Sequence, residues 1–289
     1  MIEVTHFTDP GCPWAWSASP ALAVLRWRFG EQLRWDLRLI GLTEEREQYE
    51  RRGYTPVRQA AGFRRYAGWG MPFSRAPKPH VAATSRACRL VVAVRLAQPG
   101  RELEALRALQ LVQFTTRLAL DEDVALEAAL ERLGGVPGVS VSSVDDPEVR
   151  AAYEADREAA RTAAGSATEA MGAHAQTDGP VRYTAPSLIL RAPDGRTLDA
   201  GGFQPAEAYD VCLANLDPAL ERRPPAQDVV EAIRAVGHGL TTREVAAVMA
   251  PRLAAPDDGA AEQALVEAAA EGALVHEAVG DGALWTLSS

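Results

Sequence analysis

Within the first sixteen residues a β-rich run, Val4 to Thr8, turns through Asp9-Pro10-Gly11 and delivers Cys12 directly ahead of Pro13-Trp14-Ala15-Trp16. Proline is tolerated in the first turn of a helix, where its missing N–H costs nothing. The order of residues therefore predicts a strand, a tight turn and a helix running from Pro13 to Phe29, with Cys12 at or beside the N-cap. A thiol there meets unpaired backbone N–H groups and the positive end of the helix dipole, both of which favour the thiolate. At such sites the ordinary thiol pKa of about 8.5 falls toward roughly 3.5 to 7.5. The expectation is an activated, nucleophilic Cys12.

Gly30 is placed to stop that helix, and Leu33 to Leu39 alternates with the period of a half-buried strand, giving a βαβ unit. Residues 44–65 are charged and helix-compatible, while 66–79 carry Gly, Pro and aromatic residues and read as a loop. Helical periodicity follows over His80–Leu96, Arg101–Leu118 and Asp121–Leu133, the last with Asp121 as a cap, and over a further segment from Pro147 to Met171. Strand character returns at Ser187–Arg191 and Thr197–Ala200 around a Pro193-Asp194-Gly195 turn, and a helix is expected over Pro205–Leu216. Beyond the Arg222-Arg223-Pro224-Pro225 linker come three short helices, one opened by the capping box of Thr241 and Glu244, and two strands around Gly280-Asp281-Gly282. The organisation expected is an α/β unit of residues 1–43 and 175–222, an inserted helical domain at 44–174, and a small winged-helix-like C-terminal domain at 223–289.

Strand, then D-P-x-C-P-W, then helix resembles the active-site segment of the DsbA-like branch of the thioredoxin superfamily. That branch includes oxidoreductases of the polyketide-oxidoreductase type, kappa-class glutathione transferases and 2-hydroxychromene-2-carboxylate isomerases. Thr184-Ala185-Pro186-Ser187, just ahead of a strand, resembles the family's cis-proline loop, and Pro79-His80 with Arg86 resembles the start of the helix after its substrate loop. The resemblance spans about residues 1–222 and implies a thioredoxin-like α/β fold with a large helical insertion. It implies Cys12, Pro13 and Pro186 as catalytic residues, and Trp14, Ala15, Thr184, Ala185 and His80 as substrate contacts; Trp69, Met71 and Phe73, three large side chains in a Gly-interrupted loop that can hardly bury them locally, are expected to wall an apolar substrate pocket beside Cys12. His80 stands where the family often has Asn. Ala15 occupies the position of the second cysteine of C-x-x-C, so a mixed disulfide on Cys12 has to be released by an external thiol.

The chain of 289 residues is long enough for more than one core, and its composition, 47% hydrophobic and 24% charged, is that of a globular protein. No apolar run reaches membrane-spanning length, and the opening residues enter strand-like sequence without a signal segment, so no membrane partner and a cytoplasmic setting are expected. Three cysteines, Cys12, Cys88 and Cys212, suggest neither a disulfide framework nor a zinc site, and His6, His80 and His174 lack metal-ligand spacing, so no metal is expected. The net charge of −9 argues against nucleic acid, and so does the C-terminal stretch 226–289, with three arginines against ten acidic residues. That segment is expected to dock on the rest of the chain, to form a homodimer or to bind a protein. The function expected is monothiol disulfide exchange on a disulfide or small-molecule substrate, with a glutathione- or mycothiol-like co-thiol and no tightly bound cofactor. A thiol-dependent isomerase or transferase, and a degenerate thioredoxin-fold binding protein, stand as alternatives.

Overall fold

A computed structural model of the chain describes residues 1–288. The first unit is β1 (Ile2–Thr8), α1 (Pro13–Ser17), α2 (Ser19–Phe29) and β2 (Leu33–Leu39), with β1 and β2 parallel from the Ile2–Leu33 pair to the Thr8–Leu39 pair. The single helix expected over 13–29 is broken at Ala18. Pro20 is the cause: it cannot donate to the carbonyl of Trp16, so the ladder is interrupted one turn after the cysteine.

The insertion consists of α3 (Arg46–Arg51), α4 (Pro56–Tyr66), α5 (Ser85–Ala97), α6 (Glu102–Thr115), α7 (Asp123–Arg132), α8 (Pro147–Ala160) and α9 (Ala167–Ala170). Helices α5 to α8 enclose an aliphatic core around Val91, Leu109, Val112 and Leu126. Asp121 does not cap α7, whose N-cap is Glu122. Its carboxylate instead receives Arg46, His80 and the Ala83 N–H, a more favourable use for a half-buried charge than one exposed helix end.

A short ribbon, β3 (His174–Ala175) with β4 (Arg182–Tyr183), leads back to β5 (Ser187–Arg191), β6 (Thr197–Gly201) and α10 (Ala206–Leu216). The central sheet has the order β2-β1-β5-β6, with β5 antiparallel to β1 and to β6. Strand β1 is flanked on both edges and covered on both faces, which is why Ile2, Val4 and Phe7 are all buried.

The remaining elements are α11 (Val229–Val236), β7 (Leu240–Thr241), α12 (Thr242–Met249), α13 (Asp258–Ala270), β8 (Leu274–Val279) and β9 (Gly282–Leu287), with the strands ordered β7-β9-β8. The Thr241–Glu244 capping box opens α12. This C-terminal unit packs on α2, whose apolar residues fall on two faces because the helix is buried twice. Leu22, Leu25 and Phe29 face the sheet, while Ala23, Val24 and Trp27 face α11, α12 and Trp285. The segment expected as a linker is pinned: Trp27 Nε1 donates to Pro224 O at 2.7 Å, the Arg223 guanidinium lies 3.6 Å from the Trp27 ring centroid, and buried Asp210 binds both Arg28 and Arg222. No helix among the described residues is long and apolar enough to cross a membrane.

His6 on β1 is 3% exposed and neither ring nitrogen has a hydrogen-bond partner. Burial, with nearby Arg26 second, holds its pKa down to about 3. A lowered histidine pKa means that the unfolded chain binds the extra proton, so this stability is complete above about pH 6.5 and is lost as pH falls toward the folded value. Between pH 7 and pH 5 His6 is expected to remove on the order of 2 kcal/mol, and the urea midpoint of His6→Phe should fall less over that range than that of the wild type. Parallel slopes would show that His6 is solvated in the folded protein.

Candidate active site

The turn that carries Cys12 is built around the carboxylate of Asp9, which has no exposed surface. Its Oδ1 accepts the Gly11 N–H at 2.8 Å, and its Oδ2 accepts the Leu42 N–H at 2.8 Å and Thr84 Oγ1 at 2.9 Å. The Cys88 thiol lies 3.4 Å from the same oxygen. Gly11 lies so close to the Thr84 methyl that any side chain there would displace it. Cys12 N–H closes the turn on Asp9 O at 3.1 Å, and the extended backbone of Cys12 (φ −84°, ψ 114°) makes it the N-cap of α1. The sequence marks Asp9 only as a turn residue; its place immediately upstream of the cysteine is the signal that could have identified it.

Cys12 is 6% exposed, and its Sγ donates to the carbonyl of Ala185 at 3.1 Å across the fold. The Ala185–Pro186 peptide is cis. Two effects compete at this sulfur. Burial pushes the Cys12 thiol up to about 12, assisted by the Asp9 charge, while the Ala15 and Trp14 N–H groups pull it down. Burial prevails, which reverses the sequence expectation of a lowered pKa. A helix terminus contributes at most about 2 kcal/mol, whereas full desolvation shifts a group by up to about 3–5 units. In the closed site, Cys12 rests as a hydrogen-bonded thiol.

Trp14, 40% exposed, stands over the turn and packs edge-on against Tyr66 (4.9 Å between centroids) and at a tilt against Phe203 (5.3 Å) and Trp69 (6.4 Å). Phe203 and Trp69 complete an aromatic ridge at 4.8 Å. Trp16 points the other way, is fully buried and donates Nε1–H to Pro72 O at 2.9 Å. Thr184 donates to Ala173 O at 2.8 Å and so fixes the loop that presents Ala185.

Three expected contacts lie elsewhere. Phe73 is 1% exposed and packs with Phe63, Met71 and Phe114 against Val279 and Leu284. A Gly-rich loop is a poor place to bury large side chains locally, and here the C-terminal strands supply the cover. His80 is tied to Asp121 at 2.7 Å. Ala15 is buried beneath the turn rather than presented to solvent.

Beside Gly11, Pro13 and Trp14 opens a cleft of about 560 Å³, within the range of small-molecule sites. Tyr49, Tyr54 and Tyr66 line it, together with Arg52, Arg58, Arg65 and Arg182, and no carboxylate does. Among the described residues Arg52, Arg58 and Arg65 have no acidic partner within 4 Å, Arg52 and Arg58 donating instead to the carbonyls of Thr177 and Gly53, whereas Arg182 pairs with Asp178. These arginines were missed in the sequence, where E-R-R-G-Y-T-P-V-R reads as a solvated helical run. Among the described residues no cluster of three or more His, Cys, Asp or Glu is placed to hold a metal.

No protein-family model and no curated protein matches the chain. Solved structures do. A protein from Nitrosomonas europaea, provisionally described as a protein disulfide isomerase, aligns at a TM-score of 0.56 and 18% identity over 74% of this chain and 96% of its own. The cytosolic disulfide reductase DsbM of Pseudomonas aeruginosa aligns at 0.52 and 18% identity over 75% of this chain and 100% of its own. The same reductase solved with GSH aligns at 0.50 and 17% identity, over 75% and 98%. The chain has the DsbA-like thioredoxin fold.

The contest at Cys12 has a direct readout. Iodoacetamide alkylation of the unliganded protein is expected to rise with pH through a midpoint above about 8.5, the ordinary thiol value, and a midpoint near 7 or below would show that the helix terminus outweighs burial.

Proposed function

We propose that this protein is a thiol–disulfide oxidoreductase working through Cys12 and an external low-molecular-weight thiol that carries carboxylates. The observation that carries the reading is the coincidence of one cysteine, seated at a helix N-terminus and facing Ala185 O, with an arginine-lined cleft free of acidic residues. The DsbA-like fold, shared with a reductase solved in complex with GSH, agrees with it. Charge favours a glutathione-like dicarboxylate over a mycothiol-like sugar thiol, which has no carboxylate to meet Arg52, Arg58 and Arg65.

A mixed disulfide R–S–S–G, where G is the small-thiol moiety, binds with its carboxylates on the arginines. The thiolate of Cys12 attacks the sulfur that carries G; the S–S bond breaks, and R–S⁻ leaves and takes up the proton released by Cys12. A second small thiol, as thiolate, attacks the G sulfur of Cys12–S–S–G, forming G–S–S–G and returning Cys12. The net exchange is R–S–S–G + G–SH → R–SH + G–S–S–G, with Cys12 regenerated: the disulfide bond passes from the substrate to the two small-thiol sulfurs. The second step is intermolecular because Ala15 has no sulfur, Cys88 is fully buried beside Asp9, and Cys212 lies on α10. Three unpaired thiols suit a reducing compartment such as the cytoplasm. The C-terminal unit we read as a winged-helix-like module that serves the enzyme, since its excess of acidic residues is the wrong sign for a phosphate backbone.

The raised pKa of Cys12 favours a second reading, in which the bound small thiol is the reagent of an isomerase or transferase and Cys12 only donates a hydrogen bond. Cys12→Ser separates the two: loss of disulfide turnover supports the first, and retained turnover that still requires the small thiol supports the second. Mass spectrometry of protein purified without reductant is expected to show a dicarboxylate-thiol adduct on Cys12. Arg52→Glu and Arg65→Glu are each expected to raise KM for glutathione about fivefold with kcat little changed, the size of one partly exposed ion pair. Unchanged KM in both would remove the carboxylate assignment.

A further inference from the structure

The DsbA-like neighbours match about three quarters of this chain while being covered almost completely themselves. The C-terminal unit is therefore not explained by the shared fold, and besides its seat on α2 it grips one short segment, residues 70–75, directly after Trp69. Gly70, at φ +93°, is overlain by Arg243, which is held by Asp258 at 2.7 Å. Met71 accepts a hydrogen bond from Thr241 Oγ1 at 3.4 Å. On the β8–β9 turn, Gly280 and Gly282 press on Phe73 and Pro72 so closely that a Cβ on Gly280 would lie 2.8 Å from the Phe73 backbone. Between these glycines, Asp281 accepts the Phe73 N–H at 2.8 Å and pairs with Arg75 at 3.3 Å.

Such a grip holds a loop that contains Gly68 and Gly70 and would otherwise order poorly. It also fixes what the loop carries. Trp69 is half-exposed yet seated on Trp14 and Phe203, at the margin of the turn that bears Cys12.

We propose that the C-terminal unit is a built-in selectivity element for Cys12, with Asp281 as its positioning residue: by holding residues 70–75 it keeps Trp69 on Trp14 and Phe203 and confines access to small reactants, excluding polypeptide disulfides. The choice of disulfides as the reactants rests on the function proposed above; the restriction of access does not.

The test compares two maleimides with one warhead, N-ethylmaleimide and a maleimide carrying a polyethylene glycol chain, in a Cys212→Ser background where Cys88 is buried. Their rate ratio at Cys12 cancels the thiol pKa and reports access alone. Asp281→Ala is expected to raise the relative rate of the bulky reagent about tenfold, the equilibrium factor of one lost hydrogen bond to a charged group. Asp281→Asn, which keeps the acceptor for Phe73 N–H and gives up only the Arg75 pair, should show no more than the roughly threefold rise expected of Arg75→Ala. Arg75→Ala, at an exposed side chain, is the second variant should Asp281→Ala fail to fold, with an increase of about threefold expected. An unchanged ratio in a folded variant whose amides at 70–75 exchange faster would overturn the proposal, as would equal ratios for Ala and Asn. Turnover is read separately. Asp281→Ala gaining activity on a polypeptide disulfide, with small mixed disulfides unaffected, supports both statements. Absence of disulfide turnover in every form, wild type included, sinks the function reading and leaves the maleimide ratio to judge the selectivity element.

Discussion

A fully buried carboxylate, Asp9, organises the active end of this protein. Its oxygens collect N–H groups from the turn and from the segment after β2, and the hydroxyl of Thr84 at the start of α5. Three parts of the chain far apart in sequence are thus fixed relative to Cys12 by one side chain. An unpaired charge in that position would be prohibitively costly, and the hydrogen bonds offset only part of the penalty, since burial still raises the Asp9 pKa. The same carboxyl that fixes the turn therefore disfavours a second negative charge on the neighbouring sulfur.

This arrangement separates the geometry of activation from activation itself. The N–H groups of Trp14 and Ala15 are aligned on Cys12, yet they act on a sulfur with almost no access to water. In a small-thiol enzyme without a resolving cysteine, a dormant resting thiol has a chemical use. A permanently ionised Cys12 would react with any oxidant that reached it, whereas in the function proposed above a thiol held on Ala185 O would stay dormant until a bound ligand changed its surroundings. Arginines without acidic partners in the adjoining cleft supply the charge that such a ligand would bring its own anion to meet.

How much of this was legible in the sequence follows from the range of the interactions. The strand, turn, cysteine and start of the helix are local features, written in the alternation of β1, in Gly11 and in Pro13, and formed as expected, whereas the helix breaks at Ala18 ahead of Pro20. Trp14 outward and Trp16 inward also follow from helical geometry. The balance at Cys12 could not be read locally, because the atoms that bury it come from residues near 185. Phe73 was assigned to a substrate wall for the same reason: nothing near it in sequence could cover it, and its cover arrives from β8 and β9 some two hundred residues later. His80 looked like a substrate contact by position, but Asp121 lies within hydrogen-bond reach and claims it. The arginine cluster was visible and misjudged, since a charged helical run shows which charges exist without showing that Tyr49, Tyr54 and Pro13 enclose them in a cleft.

The two-sided burial of α2 ties these observations together. One face of that helix completes the core under the sheet and the other is the main seat of the C-terminal unit, so the helix that follows Cys12 also carries α11, α12 and Trp285. The unit then reaches back over the loop at 70–75, and the Arg107–Glu244 ion pair joins α6 to α12 beneath it. Buried ion pairs contribute little net stability because desolvation offsets their attraction, but removing one partner strands the other. Glu244 is also the capping-box residue of α12 and accepts the Thr241 N–H, so the group that starts the helix is the group that locks it to the insertion. A module attached only for stability would need the apolar face on α2 and nothing more. Directional polar contacts at Arg107, Arg243 and Asp281 fix its orientation as well, and with it the position of the loop bearing Trp69.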